Sequence, residues 1–285
     1  MDFGVLRGPE QRNNPHTRNL SRLRPKSELN PTSNWHAWLV NRDLHEYLIQ
    51  FNQLPFERNQ EKFRKRKILE LIGQHKADAG KMLEVGPGLN PLFPFLDKFD
   101  HITALEPIGE IYQWLTNSHS QKSNIEIINS DLEKFISENL DARFDAVVLS
   151  SVLHEIPNPE YILKMIHNVL TPGGKLYVVV PNNQSVHRLT GEKLAITKSL
   201  NELTETEKKM QQFSSYSPQL LVNQLENHGF KDIHVVTNFI KPLPHLGMQE
   251  ALDKSLMSED DLEFLYKLSD LMPGFGSEIF GVAVK

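Results

Sequence analysis

The apolar positions of this chain follow two different rhythms. After Gly80, short runs rich in Val, Ile and Leu recur at Lys81–Val85, Ile102–Glu106, Ile125–Asn129, Phe144–Ser150 and Lys175–Val180, with helix-length segments between most of them. This alternation predicts a parallel sheet covered by helices on both faces. The near-continuous apolar runs Ala146–Ser150 and Leu176–Val180 suit central strands buried on both sides. A helix over about Ser217–His228, a strand at Ile233–Phe239 and a closing strand at Glu278–Val284 continue the pattern. Between them, Lys193–Gln212 and Met248–Met272 read as polar amphipathic helices inserted into the sheet topology.

Before Gly80 the periodicity is helical. Trp35, Trp38, Leu39, Tyr47 and Leu48 predict a short helix or two over Trp35–Ile49, with Ser33 and Asn34 as N-caps. Phe63, Ile68, Leu69 and Ile72 mark one side of a helix over Glu57–Gly73, on which the run Arg64–Lys67 reads as a solvated face. Residues 1–33 hold many Arg, Asn and Pro and few large apolar side chains, too little to offset the entropy of ordering. The expected organisation is a flexible or pinned tail over 1–33, a helical extension or lid over 34–79, and a main domain over 80–285. Helical insertions near 190–215 and 245–275 should cover its crevice.

Composition narrows the function. The chain has 285 residues, 39% hydrophobic and 24% charged, enough to bury a substantial core. It has no cysteine, which excludes disulfides, thiolate zinc sites, iron–sulfur clusters and cysteine nucleophiles. A net charge of −5 is not the basic excess of a nucleic-acid binder, so no nucleic-acid partner is expected. The longest apolar stretches, such as Tyr177–Val180, fall far short of the roughly 20 residues that span a bilayer, so no membrane partner is expected either. The opening residues lack the apolar core of a signal peptide, which gives the cytoplasm as the expected location. The twelve histidines show no His-x-x-x-His or carboxylate-rich spacing, and no metal is expected.

The chemistry begins at Met82-Leu83-Glu84-Val85-Gly86-Pro87-Gly88-Leu89-Asn90-Pro91, where a buried strand runs into a Gly-x-Gly turn. Missing side chains at Gly86 and Gly88 let a ligand approach the backbone. Asn90 and Pro91 read as the N-cap and first position of a following helix. Glu106 stands 20 residues after Gly86 at the end of the next strand, where a ribose-binding acid sits in nucleotide-binding βαβ units. Asp131 ends the third strand. Open parallel sheets bind ligands beyond the carboxyl ends of their strands, so the three features point to one crevice.

Over residues 80–182 the chain resembles the class I S-adenosylmethionine-dependent methyltransferases. The motifs LEVGPG, ITALEP, NSDLEKF, FDAVVLSSVLHEIPNP and LTPGGKLYVVVPN stand in the family's order. Beyond them PNNQSVHRLTG, KPLP and the final SEIFGVAV resemble a small-molecule methyltransferase subgroup. The resemblance implies a doubly wound α/β fold with a seven-stranded, mostly parallel sheet, the last strand antiparallel, and S-adenosylmethionine as cofactor. It also implies site roles. Glu84 and Gly86 would meet the methionine portion, and the backbone at Gly86 and Gly88 would pass the sulfonium side. Glu106 would accept both ribose hydroxyls. Asp131 would accept from the adenine amino group with Leu132 packed on the ring, and Ser150 lies where backbone contacts to the cofactor are expected. A dehydrogenase would use the same crevice, but its third glycine would fall at position 91, which is Pro91 here. Proline also removes an N–H that a pyrophosphate would want.

Methyl transfer from a sulfonium is an in-line displacement, so proximity and orientation carry most of it, and a base is needed only for a protonated acceptor. His154, just beyond the fourth strand, is the candidate base; it could equally bond nearby backbone or orient Glu155. His187 and Arg188 follow the fifth strand, where Arg188 could clamp a carboxylate or phosphate of the acceptor or make a surface salt bridge. Trp35, His36, Trp38 and Tyr47 either lid the cofactor or attach the extension to the domain. On resemblance, Lys241-Pro242-Leu243-Pro244-His245 forms a rigid loop near the acceptor. The expected activity is methylation of a small-molecule acceptor at oxygen or nitrogen. The alternative is cleavage or cyclisation of S-adenosylmethionine itself with release of methylthioadenosine.

Overall fold

One seven-stranded sheet in the order β3-β2-β1-β4-β5-β7-β6 organises the chain. The computed structural model describes residues 53–74, 80–119, 122–196 and 199–285, together with Leu39, Tyr47 and residues 49–51. The tail expected over 1–33, the caps Ser33 and Asn34, and the aromatic candidates Trp35, His36 and Trp38 lie outside the described residues. In chain order the elements are α1 (Glu57–Gln74), β1 (Lys81–Val85), β2 (His101–Leu105), α2 (Gly109–His119), β3 (Ile125–Ile128), α3 (Leu132–Glu138) and β4 (Phe144–Ser150). They continue with α4 (Pro159–Val169), β5 (Leu170–Pro181), α5 (Val186–Lys193), α6 (Glu205–Lys209), α7 (Pro218–Asn227) and β6 (Lys231–Asn238). The last three are α8 (His245–Asp253), α9 (Glu259–Leu271) and β7 (Glu278–Val284).

β1 to β5 pair in parallel, and β7 runs antiparallel between β5 and β6. Alternation along the strands makes the two cores. Leu83, Val85, Val147, Leu149, Val178 and Val180 face one layer, while Met82, Ala146, Val148, Tyr177 and Val179 face the other. Every one of these is buried, which is why the central strands are apolar without interruption. The register Val85↔Leu105 and Glu84↔Val148 sets the carboxyl ends of β1, β2 and β4 side by side. A ligand crevice forms along that edge.

A third cluster fastens α1 to the far side of the sheet. Phe63 stacks on Phe239 at a centroid distance of 4.8 Å and on Tyr266 at 5.3 Å, with Phe56, Met248 and Leu262 buried around them. Burying each such side chain stabilises by roughly 1.5–3 kcal/mol. This packing overturns the expectation that Arg64–Lys67 forms a solvated face. Arg64 is drawn inward between Glu57 and Glu278, and Lys65 lies over the Phe95 ring at 4.6 Å. Arg66 covers Tyr266 at 4.2 Å. The sequence run is polar, but a helix sandwiched between the glycine-turn loop and α9 leaves its arginines and lysines rings and carboxylates to meet.

Two other expectations change. No α-helix starts at Asn90-Pro91; the chain instead makes a 3₁₀ turn at Phe93–Phe95, preceded by Leu92 without a side-chain cap. Pro94 has no N–H to give to the carbonyl of Asn90, the bond that would open an α-helix there, and Phe95 N–H bonds the carbonyl of Leu92 instead. The single insertion read over Lys193–Gln212 divides into the end of α5 and the five-residue α6, the latter started by a capping box of Thr204 and Glu207. Met248–Met272 likewise divides into α8 and α9, because Ser258 and Asp261 form a second capping box.

Candidate functional site

The carboxyl ends of β1, β2, β4, β5 and β6 open into one cavity of about 870 Å³. Its first wall is the turn after β1. Gly86 has a φ of +66° and gives its N–H to the carbonyl of Leu105 at 2.9 Å. A Cβ there would lie 2.9 Å from Cγ2 of Val152, so the position requires glycine twice over, for conformation and for space. Gly88, at φ +59°, has open space where a Cβ would stand and donates its N–H to Glu106 Oε2 at 3.1 Å. The other oxygen of Glu106 accepts from Ile108 N–H at 2.9 Å. Glu106 therefore ties the glycine turn to the loop after β2. A carboxylate has about four lone-pair sites, which leaves it able to take hydroxyls as well.

Glu84, two residues before Gly86, is 2% exposed. Its two oxygens accept from Leu92 N–H and Phe93 N–H, each at 2.9 Å, and so shape the loop that closes the cavity floor. Burial pushes its carboxyl up to about 7, against the pull of those two N–H groups and of Lys65.

Asp131 and Leu132 lie at the start of α3, both buried, and neither lines the cavity. Asp131 is the N-cap of α3 and accepts from Lys134 N–H at 2.8 Å. Ser150 ends β4 on the cavity wall, and Ser151 beside it holds a φ of +60°. His154, 3% exposed, lies in the 3₁₀ turn Leu153–Glu155 with Nε2 4.0 Å from Glu155 Oε1. Its carbonyl accepts from Phe213 and Ser214 N–H, which docks the segment after α6 onto this turn. Tyr47 reaches the same place, its hydroxyl donating to Glu155 Oε1 at 3.4 Å.

His187 faces the cavity from the start of α5, with Nδ1 3.1 Å from Ser185 Oγ. Burial, then the charges of Lys241, His245 and Arg188, hold its imidazole well below the usual histidine range, so it is neutral. Of the two roles expected for Arg188, an acceptor clamp or a surface salt bridge, the structure has a salt bridge, buried rather than at the surface. Its Nη1 bonds Glu207 at 2.9 Å and its Nη2 bonds the carbonyls of Leu200 and Glu202 at 3.4 and 3.3 Å. That guanidinium clamps the chain's own segment over 200–207, because a buried charge takes the nearest carboxylate and carbonyls.

The far end of the cavity holds side chains that the sequence pattern did not single out together. Glu57, Gln60 and Arg64 come from α1, and Lys241 and His245 from the loop after β6. Arg64 bridges Glu57 at 2.8 Å and Glu278 at the start of β7; those carboxylates, acting against burial, raise its already high pKa. Lys241 donates to Gln60 Oε1 at 2.9 Å, and burial lowers its ammonium to about 8. Burial, with Lys241 and Arg64 adding, depresses His245 to about 3. The spacing of Glu57, Gln60 and Arg64, one helical face of polar residues beside an apolar one, was the available signal for this end. Among the described residues no group of three or more His, Asp or Glu is placed to hold a metal ion. No helix among them is long and apolar enough to cross a membrane.

A sequence model of the methyltransferase-domain family matches residues 56–235. The human thiol S-methyltransferase TMT1A is 27% identical over 150 residues, which make up 50% of this chain and 59% of that protein. The match thus spans about three-fifths of that relative's length. Among solved structures, the plantazolicin methyltransferase BamL, in complex with a triazolic desmethylPZN analog and SAH, superposes with a TM-score of 0.54 at 16% identity. The alignment covers 88% of this chain and 93% of that one. A Thermotoga maritima SAM-dependent methyltransferase, described as a possible histamine N-methyltransferase, gives 0.52 at 18% identity over 88% of this chain and all of that one. At these identities the structural likeness concerns the fold.

Proposed function

This chain belongs to the methyltransferase-domain family, and from that premise we propose that it is an S-adenosylmethionine-dependent methyltransferase acting on oxygen or nitrogen of a small-molecule acceptor. The observation that carries the reading is the reach of the cavity. It runs from the glycine turn beyond β1 to Lys241 beyond β6, four strand spacings or roughly 19 Å across the sheet. Its volume stands toward the upper end of the roughly 300–1,000 Å³ of ligand pockets, which leaves room for an acceptor beside the donor.

When bound, the cofactor supplies an electrophilic methyl group on a sulfonium. Gly86 and Gly88 keep the backbone bare for close approach, and Glu84 holds the loop after them. Glu106 accepts ribose hydroxyls in this reading, the end of β4 at Ser150 meets the adenine side, and Asp131 and Leu132, outside the open cavity, reach the adenine only once it is bound. The acceptor then lies toward β5 and β6. His187 is neutral there and can take a proton at nitrogen, and His154 stands at the boundary between the two halves. Ordering donor and acceptor in line in a closed cavity supplies most of the acceleration. The human relative's name adds sulfur to the acceptor atoms worth screening.

The test is mass spectrometry of S-adenosylmethionine incubated with the purified protein, first alone and then with pooled amines, alcohols, acids and thiols. Retention of intact cofactor alone, and appearance of SAH with a product 14 mass units heavier on adding an acceptor, is the expected result. Methylthioadenosine above the protein-free control without acceptor would make the cofactor itself the substrate.

A further inference from the structure

Lys241 sits in the acceptor half of the cavity with donors to spare. It is 2% exposed, and among the described residues its ammonium makes one hydrogen bond, to Gln60, with no carboxylate oxygen within 4.0 Å. An ammonium has three donors, and a buried charge short of acceptors is strongly unfavourable. The nearby carboxylates Glu57 and Glu278 are held by Arg64. His187 uses Nδ1 on Ser185, leaving Nε2, and the buried Nδ1 of His245 has no partner. Each neutral imidazole has one N–H and one lone pair, and Nε2 of His245 faces Glu57 Oε2 at 3.7 Å. All three side chains follow β5 or β6, on the opposite side of the sheet from Gly86 and Glu106. The mouth of the same cavity is apolar. Leu194, Ile196, Leu243 and Leu246 line it while remaining 65%, 75%, 42% and 64% exposed. Large exposed aliphatic side chains clustered around a pocket mark a binding surface.

We infer that the acceptor is an amphipathic acid, its carboxylate or phosphate oxygens received by the Lys241 ammonium, its apolar body lying against Leu194, Ile196, Leu243 and Leu246. This rests on the reading that the half of the cavity beyond β5 receives an acceptor. The anion supplies the lone pairs that Lys241 lacks. The aliphatic rim loses water when the body of the ligand covers it.

The experiment is isothermal titration calorimetry of the full chain saturated with SAH, using octanoate, butyrate, octyl phosphate, octanamide and octanol as probes. Octanoate or octyl phosphate is expected to bind at least tenfold tighter than octanamide and octanol, and octanoate tighter than butyrate. Which anion leads separates a carboxylate from a phosphate acceptor. Lys241→Met should lose at least tenfold for that anion and bind SAH as the parent does. Equal affinity for acid and amide in the parent protein overturns the inference, and needs no variant to fold. So does a Lys241→Met protein that still binds the anion as the parent does. If the parent chain does not bind SAH at all, the methyl-transfer reading falls, and this inference with it.

Discussion

Replacing Glu84 by Gln removes the charge from a fully buried carboxylate while keeping its shape. Burial raises that carboxyl from 4.5 to about 7, so the folded protein holds the proton more tightly than the unfolded chain. The stability this contributes is complete below about pH 4.5 and is lost as the pH climbs to about 7. Over that interval, at roughly 1.4 kcal/mol per pH unit, about 3 kcal/mol disappears. Glutamine does not titrate. It keeps one oxygen to accept from Leu92 or Phe93 N–H and sets its NH2 against the other. That is a pH-independent loss of roughly 1–3 kcal/mol, which a protonated carboxyl, with lone pairs on both oxygens, does not carry. The stability of Glu84→Gln relative to the parent should therefore rise by about 3 kcal/mol between pH 4.5 and pH 8. For a chain of this size that is a melting difference of roughly 6–12 °C. Urea denaturation of both proteins at pH 5, 6, 7 and 8 reads the difference directly, because His187, His245 and Lys241 titrate alike in each. A variant less stable by the same amount at every pH would refute the reasoning. It would mean that the two backbone N–H groups keep Glu84 ionised throughout and outweigh burial.

Gly86→Ala should cost roughly 1–2 kcal/mol for its left-handed backbone, plus the clash with Val152, whereas Gly88→Ala bears the backbone cost alone. Equal melting temperatures for the two variants would contradict this difference. Arg188→Met should release the segment over 200–207, seen as at least tenfold faster trypsin cleavage at Lys193, Lys208 or Lys209; unchanged cleavage would show that the guanidinium does not hold it. Asp131→Ser keeps a capping oxygen for α3, so stability should stay within roughly 0.5 kcal/mol while SAH affinity drops. Undiminished affinity would remove Asp131 from the adenine site.

The strands, the glycine turn and the acids at Glu84 and Glu106 were legible along the chain because they are local facts. A two-residue alternation reports which face of a strand is buried, and a Gly-x-Gly after an apolar run reports backbone that must bend without a side chain. The segments at Asn90-Pro91 and Lys193–Gln212 misled because a single residue inside each stretch overrides its periodicity. Pro94 withholds the N–H that the first turn of an α-helix would need, and the capping box of Thr204 and Glu207 restarts a helix inside a polar stretch. At the acceptor end, the polar face of Glu57, Gln60 and Arg64 and the loop from Lys241 to His245 were each legible, but nothing local says that they meet. Lys241 meets Gln60 across 181 positions and Arg64 meets Glu278 across 214, and neither pair shares a period or a motif. What joins them is the placement of β7 between β5 and β6, which carries Glu278 and the loop after β6 to the helix that precedes the first strand. Local chemistry thus determined where the donor side of the cavity begins. Only the order of strands, set by packing the whole sheet, decided which buried charges face it.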